Sequence, residues 1–132
     1  MSIDIEAGLA YIPTQENAFF FAMQEDYKKT GVYKRNPGRW NTGIELGALA
    51  QNILNNLDTQ PKPGGFLKAF DPLTGETKWS VAIPHYWNGG VLATAGGLVF
   101  QGDALGMFSA YDKDTGDRLW QFNTYTSMLA PP

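Results

Sequence analysis

The sequence predicts an all-β repeat fold, on two observations. The stretch Ala69-Phe-Asp-Pro-Leu-Thr-Gly-Glu-Thr-Lys-Trp79 returns as Ala110-Tyr-Asp-Lys-Asp-Thr-Gly-Asp-Arg-Leu-Trp120, with Ala, Asp, Thr, Gly and Trp at five matched places 41 positions apart. From Gly64 onward, short apolar runs also alternate with turn residues at regular spacing. A period of about 40 residues marks a stacked architecture in which no unit buries its apolar face alone.

The repeat has a physical reading. Asp71 and Thr74 bracket a tight turn, their short oxygens placed to accept from nearby backbone N–H groups, and Gly75 can take the positive φ that ends it. The turn feeds a strand in which Trp79 is the large apolar residue. Small Ala and Gly positions in a neighbouring repeat would leave a flat slot for its indole, which removes about 200 Å² from water when buried.

In chain order, Leu9 to Ile12 reads as a strand following a Gly8 turn, and Pro13 is expected to close it. Residues 1–13 are thus one strand of an incomplete unit. Residues 14–63 break the rhythm and hold Lys28, Lys29, Lys34, Arg35, Arg39 and Lys62, six of the ten basic residues. A solvated insertion loop is the preferred reading, with a docking surface for an acidic partner as the alternative. Leu46, Leu49, Ile53 and Leu57 would align on one face of a short helix ended by Asn55, Asn56 and Asp58.

Residues 64–132 carry the two repeats, 69–79 and 110–120. Strands are expected at Phe66 to Phe70, Lys78 to Ile83 (stopped by Pro84), Gly90 to Thr94, Leu98 to Gln101, Met107 to Tyr111 and Arg118 to Asn123. Ala95-Gly-Gly97 suits a primed hairpin turn, and Asp103-Ala-Leu-Gly106 a type I turn. Tyr125 to Pro132 matches no element. The paired glycines 64–65, 89–90 and 96–97 read as strand-turn glycines, because no nucleotide-type helix follows them.

The pattern Ala-x-Asp-x-x-Thr-Gly-x-x-x-Trp resembles the tryptophan-docking motif of the quinoprotein (PQQ-dependent) alcohol dehydrogenases. Trp87-Asn-Gly-Gly-Val-Leu-Ala-Thr-Ala-Gly-Gly-Leu-Val-Phe-Gln-Gly102 and Gly8-Leu-Ala-Tyr-Ile-Pro13 are similar to the same family. The resemblance implies an eight-bladed β-propeller holding pyrroloquinoline quinone and a calcium or lanthanide ion. It also implies oxidation of a primary alcohol by hydride transfer to the quinone, a cytochrome c-type electron acceptor, and a periplasmic location, at most peripheral to the membrane. Leu105 departs from the family, which more often places Asp before that Gly, and only the local turn type is affected.

Closed propellers have about four to eight blades, and 132 residues allow roughly two to three. The chain is therefore expected to be a C-terminal propeller fragment that depends on the remaining blades and is inactive in isolation. In the family, the catalytic Asp, the metal ligands and an Asn-Trp pair that contacts the quinone lie upstream of the matching stretch. No catalytic or metal residue is expected here. If Gly90 to Thr94 is the innermost strand, His85-Tyr-Trp-Asn88 projects at the mouth of the central channel. Trp87 is the candidate cofactor contact: an indole offers a flat face and one N–H donor, and a Trp at the matching family position touches the quinone. Packing against the adjacent blade is its bland alternative. Asn88 could donate to a carboxylate of the cofactor or simply shape the Asn-Gly turn. His85 is the only histidine; without a carboxylate or nucleophile at fixed spacing it reads as a rim residue.

Other classes are excluded or left open by composition. A net charge of −3 gives no electrostatic footprint for nucleic acid. Zero cysteines exclude disulfides, thiolate metal sites and covalent haem attachment within these residues. Neither a membrane span nor a signal peptide is visible. The alternative function is a non-catalytic periplasmic propeller scaffold that binds other proteins, since related scaffolds carry similar repeats.

Overall fold

The structure is a computed structural model that describes residues 1–18, 20–38, 41–59 and 62–132. It divides into two compact units, one formed by residues 1–17 and 63–132 and the other by residues 18–62.

The first unit holds two antiparallel four-stranded sheets, each in sequential order. Sheet 1 contains β1 (Ser2–Asp4), β2 (Leu9–Glu16), β3 (Gly64–Phe70) and β4 (Thr77–Ile83). Sheet 2 contains β5 (Asn88–Ala93), β6 (Leu98–Asp103), β7 (Met107–Asp112) and β8 (Arg118–Asn123). Residues 1–13 differ from the single strand expected: they form a hairpin, and its second strand runs through Pro13 to Glu16. The reason is the edge. β1 pairs no further along β2 than Tyr11, so at Pro13 one side of the strand has no neighbour and a missing N–H costs no ladder bond.

The repeat is reproduced in backbone detail. Ala69 pairs with Trp79 and Ala110 with Trp120, and each ladder shifts register at the next position. Asp71 Oδ1 accepts from the N–H groups of Leu73 and Thr74, and Asp112 Oδ1 from those of Asp114 and Thr115. Both turns end in a glycine at positive φ, 78° at Gly75 and 79° at Gly116. These backbone hydrogen bonds hold both carboxyls below the usual carboxylate range.

Alternation along β3 buries Gly65, Leu67 and Ala69 on one face. That face meets sheet 2, where Tyr11, Leu67, Ala69 and Ile83 form one core with Val91, Val99 and Tyr111. Each large apolar side chain there contributes on the order of 1.5–3 kcal/mol. Trp79 closes the end of this core. Its Nε1 donates to the Lys113 carbonyl at 2.9 Å, the Tyr11 hydroxyl donates to the same oxygen at 3.3 Å, and its ring lies over Gly116. Lys113 Nζ also reaches back to Asp4 Oδ2 at 2.9 Å, and the Ala93 N–H donates to Ser2 Oγ at 2.9 Å. β1 is thereby fastened to sheet 2.

The hairpin between β5 and β6 is not of the primed type. Gly97 N–H closes on the Thr94 carbonyl at 3.2 Å, and within this loop Gly97 alone has a positive φ, 85°. A primed turn needs positive φ at a central residue, here Ala95 or Gly96, so the loop is a type I turn followed by a left-handed glycine.

In the second unit, α1 (Glu25–Thr30) and α2 (Leu46–Asn55) are joined through an isolated bridge between Met23 and Ile44. α2 is the helix that the Leu46–Leu57 spacing anticipates, with Asn56 as its C-cap. α1 was not anticipated, since a single apolar residue, Tyr27, among its six makes no apolar period; Gly31 ends it in the left-handed conformation. Neither helix contains a buried residue. Of the basic residues of this stretch, Arg39 lies outside the described residues, and Lys28 pairs with Glu25 at 3.7 Å.

Candidate functional site

Pro84 ends β4, and the chain passes from sheet 1 to sheet 2 through residues 84–87. Gly65 on β3 makes the passage close: a Cβ there would collide with the His85 carbonyl. The connection then enters β5, where Asn88 pairs with Asp103 and the register shifts before Val91. Glu16 pairs with Gly64 at the same end of sheet 1. The 84–88 connection, the turn at 103–106 and the ends of β2 and β3 therefore gather at one end of the two sheets. The turns at 71–75, 94–97 and 112–116 lie at the other.

At this end three aromatic rings follow one another. His85 stacks on Tyr86 with ring centres 4.6 Å apart and planes at 22°, and Tyr86 meets Trp87 at 5.8 Å and 41°. The backbone N–H of Trp87 donates to His85 Nδ1 at 3.1 Å, which makes Nδ1 an acceptor and leaves any ring proton on Nε2. Trp87 is 52% exposed, so its indole is not consumed by packing between the sheets. Asn88 is half-buried, and its Nδ2 donates to the Thr14 carbonyl at 3.2 Å, tying sheet 2 to β2. One amide donor of Asn88 is thus engaged in fastening the sheets together. The structure brings Trp87 and Asn88 to one end, with the indole open and the amide turned to a neighbouring strand.

Sequence reasoning anticipated the turn at Asp103–Gly106, which the Gly106 N–H closes on the Asp103 carbonyl at 3.3 Å, but not the roles of Thr14 and the C-terminal segment. Asp103 is 6% exposed, and its Oδ1 accepts from Leu105 and Met107 N–H at 2.9 Å each. Its carbonyl accepts from Met128 N–H at 2.9 Å. The segment 125–132 then lies on sheet 2, where a Cβ on Gly89 would stand 2.5 Å from the Met128 carbonyl and one on Gly90 would stand 2.7 Å from Pro131 Cα. Gly89 and Gly90 are strand residues beneath a crossing chain rather than turn glycines. The Asn-Gly-Gly run was a signal of close approach as much as of a turn.

The chemistry available is stacking and donation. An exposed indole supplies a flat π-face and one N–H, which suits a planar, acidic, aromatic cofactor such as a quinone. Among the described residues no group of three or more His, Cys, Asp or Glu could hold a metal ion, so the residues present do not fit a metal centre.

Stacked four-stranded antiparallel sheets, joined edge to edge in sequence and locked by an indole over the next sheet's turn glycine, define a segment of a β-propeller. Residues 63–132 match the family model PQQ_2, described as outer membrane protein assembly factor BamB. Over its whole length the chain is 38% identical to the quinohemoprotein alcohol dehydrogenase ADH IIB of Pseudomonas putida and 39% identical to that of Comamonas testosteroni, spanning 17% and 18% of their lengths. It is 51% identical over 75 residues, 57% of the chain, to lupanine 17-hydroxylase [cytochrome c] of a Pseudomonas species, 11% of that protein. The crystal structure of the Comamonas testosteroni enzyme superposes on 98% of the chain with a TM-score of 0.75 at 34% identity, using 18% of its own chain. The chain belongs to the quinoprotein alcohol dehydrogenase family, and its fold is that of a fragment of the family's propeller.

Proposed function

We propose that this chain forms two blades of the wall of a PQQ-dependent dehydrogenase that oxidises a primary alcohol, with Trp87 at the cofactor. The observation that carries the reading is the 52% exposed indole of Trp87 at the end of the sheets, in a chain related over its whole length to quinohemoprotein alcohol dehydrogenases. Bound quinone would supply the hydride acceptor for alcohol oxidation. Trp87 would give it a flat apolar face and a hydrogen-bond donor, and would keep water from that side. The half-buried Asn88 would position the start of β5 through its bond to Thr14, with its carbonyl oxygen and second amide hydrogen left for a polar edge of the cofactor.

A calcium or lanthanide ion, the catalytic carboxylate and the rest of the ring would come from other parts of the longer protein. The fragment alone is then inactive. A cytochrome c-type acceptor is supported by the name of the lupanine 17-hydroxylase relative, and a periplasmic location follows from the same reading. The test is reconstitution. The complete protein carrying this segment, stripped of cofactor, should reduce a redox dye with a primary alcohol only after quinone and metal are restored.

A second reading, favoured by the description of the family model that matches residues 63–132, is a non-catalytic propeller scaffold that binds proteins. Absence of quinone binding by the complete protein would select it.

A further inference from the structure

The backbone that carries Trp87 is fixed on either side of it. Before it, the connection is pressed onto β3: a Cβ on Gly65 would collide with the His85 carbonyl and stand 3.0 Å from Tyr86 Cα, and neither backbone atom can turn aside. After it, Asn88 donates to the Thr14 carbonyl at 3.2 Å. The side chain of Trp87 has no comparable seat. It is 52% exposed, and among the described residues the ring beside it is Tyr86 at 5.8 Å. The direction in which the indole leaves the chain is therefore set by the backbone angles of Tyr86 and Trp87 rather than by packing.

One side chain acts on those angles. His85 Nδ1 accepts the backbone N–H of Trp87, two positions on, at 3.1 Å. Asn and Asp make the same closure in turns, with a side-chain acceptor at one residue and the N–H two residues later. The imidazole is itself held, stacked on Tyr86 with ring centres 4.6 Å apart and planes at 22°. His85 thus brings two things to the connection, an acceptor and a flat ring, and the acceptor is the one that reaches Trp87.

We propose that His85 is a positioning residue for Trp87: its Nδ1 holds the Trp87 amide, and so the backbone turn that presents the indole to the quinone. The inference rests on the reading of Trp87 as the cofactor contact. In this role His85 acts through Trp87 and makes no contact with the cofactor. Its effect is on the population of the arrangement that binds, and apparent affinity falls in proportion to that population. A hydrogen bond between neutral groups sets the scale, about three- to tenfold.

Two substitutions separate the acceptor from the ring. His85→Asn puts an acceptor oxygen one bond from Cγ, as Nδ1 is, and loses the ring. His85→Phe keeps a flat ring for Tyr86 and has no acceptor. In the complete protein, stripped of cofactor and loaded with metal, titration with pyrroloquinoline quinone should give wild-type affinity for His85→Asn and affinity lower by about three- to tenfold for His85→Phe. The same proteins without quinone, carrying ¹⁵N-labelled tryptophan, supply a second readout in the Trp87 amide signal, assigned by its loss in Trp87→Phe. That signal should keep its position and its protection from solvent exchange in His85→Asn and lose both in His85→Phe. Trp87→Phe, titrated alongside, keeps the two readings apart. If it weakens quinone binding and His85→Phe does not, Trp87 is at the cofactor but His85 does not position it, and the inference is overturned. If neither weakens binding, the cofactor reading of Trp87 fails and takes the inference with it. A His85→Asn protein as weak as His85→Phe, or a Trp87 amide signal unmoved by His85→Phe, overturns it as well.

Discussion

The indole of Trp79 lies so close over Gly116 that a methyl group there would stand 2.7 Å from its Cε3. One residue of the first repeat is thereby seated on one residue of the second. The Lys113 carbonyl, 2.9 Å from the indole nitrogen, fixes the ring's orientation as well as its depth.

Trp79→Ala should therefore destabilise the two-sheet unit by about 3 kcal/mol, the low end for a large aromatic residue because the ring is only half-buried. Trp120→Ala should cost much less under conditions where the chain is monomeric, since its indole is 49% exposed. Denaturant midpoints of the two variants measure the difference. Equal losses would mean that the indole over Gly116 has no special share in stability.

The pairing of Asp4 with Lys113 gives a pH dependence of defined sign. The hydrogen bond from Lys113, aided by the Ala7 N–H, holds Asp4 below the usual carboxylate range, and the same bond raises Lys113 above the ordinary lysine value. A depressed carboxyl contributes stability above its unfolded pKa and loses it as pH falls through the folded one. A raised lysine contributes below its unfolded pKa and loses it as pH rises through the folded one. Stability should be greatest between the two ordinary values and fall on both sides. Asp71 and Asp112, also depressed, add to the acid side only. Asp4→Asn should shallow both limbs, leaving the acid fall due to the two turn carboxyls. Thermal midpoints across pH check this, and an unchanged alkaline limb would show the pair to be inert.

Gly89→Ala tests the seat of the C-terminal segment. The new methyl would meet two backbone oxygens, Met128 at 2.5 Å and Gly102 at 2.7 Å, neither of which can rotate away. A cost of about 1–3 kcal/mol is expected, together with faster proteolysis after residue 124. A variant with wild-type stability and protease resistance would mean that the segment does not rest there.

What the sequence disclosed and what it hid divide by the range of the interaction. The Asp71 and Asp112 turns, the six strands after Gly64 and helix α2 rest on neighbours a few positions away, and were legible. Pro13 misled because its tolerance depends on where β1 stops, which no local rule contains. Helix α1 lacks an apolar period, and the primed turn at 95–97 failed because two adjacent glycines do not say which one takes positive φ. At the site, Trp87 and Asn88 stood out by residue type and family pattern. The partner of Asn88 is Thr14, 74 positions away, and the load on Gly89 comes from Met128; both are products of tertiary packing.

The most direct test concerns Trp87 at the quinone. In the complete protein, Trp87→Phe keeps the flat apolar face and deletes the indole donor. Apo-protein loaded with metal should be titrated with pyrroloquinoline quinone, beside thermal unfolding of the same samples without cofactor. The account predicts quinone affinity weakened by about 1–3 kcal/mol, the range for a lost bond to a charged group, with a much smaller change in the unfolding of the cofactor-free protein. Equal quinone affinity in wild type and variant, with stability reduced instead, would contradict it.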